Sequence, residues 1–251
     1  MDATGKYVYG IIVQPEQVRF DIRGIENGPV YTVNHGELAA LVSDTELAEL
    51  DPTRKNVLAH TKVQDAFLNK YTLLPMGFGM VASSADDVRT MLVRNYAVFL
   101  QELERLHGKI EVELTIFWDQ GAMIKELESQ TPELRHLKAK LASAPSTAKS
   151  QSLLIEAGRL VERIVNDWKA RYTTKVLCAL KELAEDTRQN QPLSIRNMLN
   201  ASFLIDRSAE GRFKEEVHKL DSEYRGKVDF KYVGPLPPYN FVNVRLAPVK
   251  S

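Results

Sequence analysis

Lys109-Ile110-Glu111-Val112-Glu113-Leu114-Thr115-Ile116-Phe117-Trp118 alternates with a period of two. Ile110, Val112, Leu114, Ile116 and Trp118 share one parity; Lys109, Glu111, Glu113 and Thr115 share the other. That is the pattern of a β-strand with one face in a core and the other in water, so Glu111 and Glu113 read as solvated carboxylates. Helical patterns flank it. Upstream, Ser84 with Asp87 forms a capping box, and Val88, Leu92, Asn95, Phe99, Leu103 and Leu106 continue as one helical stripe that stops at Gly108. Downstream, residues 119–148 are helical but interrupted: Thr131-Pro132-Glu133 restarts a helix, and Ala142-Ser143-Ala144-Pro145-Ser146-Thr147 is linker-like.

Further toward the N-terminus, residues 6–13 are rich in Tyr, Val and Ile, as a buried strand requires. Residues 30–33 and 38–42 predict a hairpin around Asn34-His35-Gly36-Glu37. Asp51-Pro52 reads as an N-cap followed by proline at the first helical position, with Val57, Thr61, Gln64, Leu68 and Tyr71 following at helical spacing. Leu74, Met76, Phe78 and Met80 alternate with Pro75, Gly77, Gly79 and Val81, which predicts a strand with one smooth face. Toward the C-terminus comes the longest helical pattern: Leu153, Ala157, Leu160, Ile164, Trp168, Tyr172, Val176, Leu180 and Leu183. At ~1.5 Å per residue it reaches roughly 50 Å. Its Arg159, Arg163, Lys169, Arg171 and Lys175 are balanced by Glu156, Glu162 and Asp167, which predicts a solvated, salt-bridged face. A short strand at 202–205, a helix carrying Phe213, Val217, Leu220 and Tyr224 up to Gly226, and a strand at 228–233 complete the order. Strands with interspersed helices predict an α+β fold in two domains, 1–119 and 120–251. The second domain includes a helical linker and a proline-rich tail; ferredoxin-like or modified ferredoxin-like sheets packed with helices are the natural arrangement.

Chemistry is sparse. Lys+Arg and Asp+Glu both number 33, so there is no basic excess for nucleic acid, and zero net charge leaves self-association open. The five histidines, at 35, 60, 107, 136 and 218, never fall at metal-binding helical spacing, and His60 reads as a packing residue. Cys178 is the only cysteine and sits among Val176, Leu177, Ala179 and Leu180, where a buried thiol is expected. Gly77-Phe78-Gly79 lacks the rest of a phosphate loop, and Glu102/Glu104, Glu111/Glu113 and Glu215/Glu216 lie in solvated patterns. No enzyme, metal or cofactor is expected. With no apolar run near ~18 residues and no signal peptide, a cytoplasmic protein without membrane spans is expected.

One segment remains: Gly234-Pro235-Leu236-Pro237-Pro238-Tyr239-Asn240-Phe241-Val242. Its prolines remove three backbone donors and forbid a helix or a central strand, so a stiff connector leads into a second apolar run, Val242, Val244 and Leu246. Tyr239 and Phe241 are expected to pack back onto the protein, so Pro235, Pro237, Pro238, Tyr239 and Phe241 read as a structural clamp, with contact to a partner as the competing role. Together with Tyr7-Val8-Tyr9-Gly10-Ile11 and Leu73-Leu74-Pro75-Met76-Gly77-Phe78-Gly79, in that order and spacing, this run closely resembles the gas vesicle protein F/L family (GvpF/GvpL), most closely its F members. The resemblance implies a non-enzymatic accessory or minor structural protein of gas vesicle assembly. It would be cytoplasmic and vesicle-associated, and would contact the main hydrophobic shell protein and other vesicle accessory proteins. Helping nucleation or preventing aggregation of the shell protein is the implied role. The alternative is a small-molecule-binding regulatory module or enzyme on a ferredoxin-like fold.

Overall fold

The structure is a computed structural model that describes residues 4–143, 148–192, 194 and 196–244. It is an α+β protein that divides into two compact units, each built from separated pieces of chain. Met1–Val112, Leu204–Arg207 and Gly234–Ser251 make the first; Glu113–Phe203 and Ser208–Val233 make the second.

The first unit is organised around β1 (Gly5–Val13). Chain order continues with β2 (Arg19–Arg23), β3 (Pro29–His35), β4 (Leu38–Thr45), α1 (Arg54–Leu68), β5 (Leu74–Pro75), β6 (Val81–Ala82), α2 (Ala85–Arg94) and α3 (Tyr96–Arg105). The sheet order is β2-β3-β4-β1-β5, with β6 also on β1, and the pairs are antiparallel. A bulge between Val8 and Gly10 shifts the register of β1 against β4. It re-phases the strand: Tyr7, Tyr9 and Ile12 face a core completed by Val63 and Phe67 of α1, while Val8 and Ile11 face one completed by Val88, Leu92, Phe99 and Leu103 of α2 and α3. At the bulge only glycine fits, because a Cβ on Gly10 would stand 2.6 Å from Leu73 Cδ1 and 2.9 Å from the Leu74 carbonyl. The predicted hairpin is β3–β4.

Three local expectations change. The helix does not start on Asp51-Pro52: Thr53 is the N-cap, its hydroxyl accepting from Asn56 N at 3.3 Å. The stripe over 88–106 is two helices, because Asn95, buried between them, turns its Nδ2 back onto the Met91 carbonyl at 2.8 Å. The smooth strand at 74–81 is interrupted. Met76 N donates to the Tyr9 carbonyl at 3.0 Å and Val8 N to the Met80 carbonyl at 2.9 Å, and the residues between loop out. Gly79, at φ +89, makes that excursion, which brings Phe78 to 6.1 Å from Tyr7 and 5.8 Å from His60.

The remaining elements are β7 (Lys109–Trp118), α4 (Gln120–Gln130), α5 (Pro132–Ala142), α6 (Ala148–Lys181), β8 (Asp186–Gln189), β9 (Asn197–Asp206), α7 (Glu210–Glu223) and β10 (Val228–Leu236). The second sheet runs β10-β7-β9-β8, and β7, β9 and β10 are each divided between the two units. β7 is an interior strand, and much of the face that the alternation suggests is wet is covered: Glu111 is 0% exposed and Glu113 half-buried. Proline is tolerated in β10 because that strand is an edge. β8, four polar residues, leaves no apolar signal, and 202–205 is the middle of the longer β9.

In the second unit α6 is 34 residues long, as its pattern predicts. Its C-terminal part buries Trp168, Val176, Leu177 and Leu180, with Trp168 and Tyr172 against Trp118. Cys178 falls off that stripe and is exposed, contrary to expectation. The predicted salt-bridged face is also absent among the described residues: of the five basic residues and three acids named, only Lys175 forms an ion pair, with Glu223 of α7. After β10, Tyr239–Phe241 is a single 3-10 turn and 242–244 is irregular, so no strand follows the prolines there; Leu246 and most of the linker, 144–147, lie outside the described residues.

Candidate functional site

The tail re-enters the first unit at Gly234, whose missing side chain lets the backbone lie against β7. A Cβ there would be 2.8 Å from Val112 Cγ1. Pro235 and Leu236 are half-buried, Pro237 and Pro238 are buried, and the prolines carry the chain into the turn, where Phe241 N donates to the Pro238 carbonyl at 3.0 Å. Phe241 is 0% exposed and sits in the core of Val8, Ile11, Leu74, Leu92, Phe99 and Leu103. Burial of a side chain that size contributes roughly 1.5–3 kcal/mol.

Hydrogen bonds from three elements hold the segment. From β7, the Glu111 carboxylate accepts from Asn240 N at 2.9 Å and from Asn240 Nδ2 at 2.5 Å. From α3, Arg105 Nη2 donates to the Phe241 carbonyl at 2.5 Å while pairing with Glu102 at 2.8 Å. The Arg105 guanidinium holds the Glu102 carboxyl below its usual range. From α1, Gln64 is fully buried and saturated: its Nε2 donates to the Tyr9 carbonyl at 2.6 Å and the Met76 carbonyl at 3.0 Å, and its Oε1 accepts from the Tyr239 hydroxyl. The Tyr239 ring is 38% exposed, yet its hydroxyl end is sunk, and burial pushes that hydroxyl well above the ordinary tyrosine range.

Behind Gln64 lies an aromatic cluster. The Tyr7 hydroxyl accepts from Gly79 N at 3.1 Å and stands 2.9 Å from His60 Nδ1; the Tyr9 hydroxyl accepts from Ile25 N at 2.7 Å and donates to Ser43 Oγ at 3.0 Å. Burial lowers the His60 pKa to about 4 and pushes the Tyr7 hydroxyl up to about 12. His60 is thus a neutral packing histidine. Gln64, Tyr239, Arg105 and Glu111 are each engaged in holding backbone or a neighbouring side chain.

Beside the seam is an open hollow of ≈ 270 Å³, walled by Leu74, Pro75, Met76 and Gly77 on one side and by Tyr239, Val242 and Val244 on the other. Two of the segments singled out in the sequence thus converge on one apolar surface. Gly77 and Gly79 stand at open space, where an added Cβ meets nothing. Among the described residues no cluster of three or more His, Cys, Asp or Glu could hold a metal ion. His35 lies against Tyr96, and His107 Nδ1 is 3.2 Å from Thr72 Oγ1. The sequence does not single out the residues that receive the tail. Gln64 left one trace, as an amide on an otherwise apolar helical stripe; Glu111 left none.

The family described as gas vesicle synthesis protein GvpL/GvpF matches residues 5–243. Gas vesicle protein F of Nostoc sp. is 28% identical over 245 residues, spanning 96% of this chain and 99% of that protein. Gas vesicle protein F of a Streptomyces sp. is 31% identical over 214 residues, spanning 85% of this chain and 88% of that protein. The crystal structure of the gas vesicle protein GvpF from Anabaena sp. is similar with a TM-score of 0.84 at 26% identity, over 96% of this chain and 99% of that one.

Proposed function

Because the chain belongs to the gas vesicle synthesis protein GvpL/GvpF family and so takes part in gas vesicle formation, we propose that it does so as a non-enzymatic accessory or minor structural protein. It contacts the main hydrophobic shell protein and helps that protein nucleate or keeps it from aggregating. Pro235, Pro237, Pro238, Tyr239 and Phe241 act as a clamp that holds one wall of the contact surface in place. The protein works in the cytoplasm, on growing vesicles, together with other accessory proteins. Among the described residues no helix is long and apolar enough to cross a membrane.

The observation that carries this reading is the hollow at the seam: open, apolar on both walls, and bordered by polar groups already engaged within the protein. Such a surface suits an apolar segment that needs cover before assembly, and it lacks the convergent free polar groups that a reaction or a small polar ligand requires. Gly77→Asp tests it. The position is exposed and unobstructed, so the melting temperature should be unchanged while a charge enters the hollow. Co-purification with the shell protein should fall at least tenfold, and a deletion strain carrying this variant should form few vesicles. Normal shell-protein capture and normal vesicles with Gly77→Asp would remove the hollow from the mechanism. No capture by the unaltered protein would remove the proposed contact itself.

A further inference from the structure

A hollow of ≈ 710 Å³ lies in the second unit between α5 and α6. Its floor is apolar, made by Leu137 of α5 with Ile155 and Leu160 of α6, and Ile155 is 59% exposed. No residue of α6 from 150 to 167 is buried, whereas Trp168, Val176, Leu177 and Leu180 are. The rim is charged, with Glu133 and Lys140 on α5 and Glu156, Arg159 and Arg163 on α6. None of these five side chains forms an ion pair or hydrogen bond with another described residue. An apolar floor and a ring of unused charges of both signs describe half of an interface.

The charges specify the other half. α5 ends at Ala142 and α6 begins at Ala148, so the two are antiparallel neighbours across a short connection. With a rise of ~1.5 Å per residue, Glu133 stands level with Arg159 and Lys140 with Ser152, one turn from Glu156. Each rim charge of α5 therefore has an opposite charge on α6 at its own level or one turn away. We infer that this face pairs with the same face of a second copy of the chain, about a two-fold axis parallel to the helices. Each α5 lies over the α6 of the other copy, and the four helices form a bundle. That operation keeps the levels and exchanges the helices. Glu133 then faces the partner's Arg159, with the partner's Arg163 one turn away, Lys140 reaches the partner's Glu156 across one turn, and the apolar floors meet along the axis. Zero net charge adds no repulsion between copies at long range. The contact involves an 11-residue helix and part of another, so it buries on the order of 1,000 Å², the low end for a specific interface. The dimer should therefore dissociate in the micromolar range.

Sedimentation equilibrium of the full chain between 1 and 200 µM tests the pairing. The mass should rise from 28.4 kDa toward twice that value with concentration. Ile155→Glu should stay monomeric throughout with an unchanged melting temperature, since the side chain is already exposed. Lys140→Glu and Glu156→Lys should each weaken association about tenfold, and the two together should restore it, which a general effect on solubility would not do. A wild-type chain monomeric at 200 µM overturns the inference. So does a dimer that Ile155→Glu leaves intact, or a double reversal no tighter than either single one.

Discussion

At Glu111 a side chain with no exposed surface receives two hydrogen bonds from Asn240, one from its backbone N–H and one from its side-chain amide. Replacing it with alanine removes both acceptors and leaves a buried amide and a backbone N–H to find others. Glu111→Ala should cost about 2–3 kcal/mol, read as a lower urea midpoint, and Glu111→Gln, which keeps one acceptor, should cost less than half of that. His60 makes a prediction in pH. Its folded pKa, about 4, lies below the ordinary histidine value of 6.5, so the unfolded chain binds more protons between those values. Stability should therefore fall as pH drops from 6.5 toward 4, by an amount on the order of 3 kcal/mol, and be unaffected by His60 above that window. Urea unfolding at pH 7.5, 6 and 5 checks it, and His60→Phe should flatten the profile. At this scale the sequence was informative only where chemistry and pattern disagreed. Gln64 on an apolar stripe was such a place. Glu111 was not, because a carboxylate at an alternating position looks the same whether it faces water or a tail 129 residues away.

Among the elements, the tail from Gly234 onward gives the sharpest test. Phe241 fills a core position, and the segment is hydrogen-bonded from α1, α3 and β7. Ending the chain after Val233 should lower the melting temperature by roughly 10 °C or more, given about 2–4 °C per kcal/mol for a chain of this size, and should reduce solubility. A truncated chain that melts like the full one but no longer supports gas vesicle formation would make the segment a recognition element and dismiss the clamp. Elements fixed by local chemistry could be read directly: the Ser84 capping box, the restart at Pro132, the β3–β4 hairpin and the whole of α6. Elements decided by distant neighbours could not. The wet-looking Glu111 of β7 is covered because the tail folds onto it, and the tail is not near in sequence. Likewise the break at Asn95 falls inside an unbroken apolar stripe, and the excursion at residues 77–79 exists to fit Phe78 against Tyr7 and His60.

For the whole molecule, the α+β class and the family could be read from the order of elements and three short segments, while the parsing of the chain into units could not. A reading along the sequence draws one boundary at 119/120; the compact units change over after Val112, Phe203, Arg207 and Val233. Strand pairing between remote segments has no composition signal, so no linker marks these crossings. They bear on how the protein is made. The core of the first unit contains Leu204 and Phe241, which are synthesised long after β1 to β4 have left the ribosome. Ordinary domains fold in turn, N-terminal first, as they emerge. Here the earliest-made unit waits for the last-made residues, so an unfinished or prematurely terminated product has no completed unit to accumulate. Nascent chains stalled with residues 1–230 outside the ribosome should stay sensitive to protease across β1–β4, and release of the full chain should protect them at once.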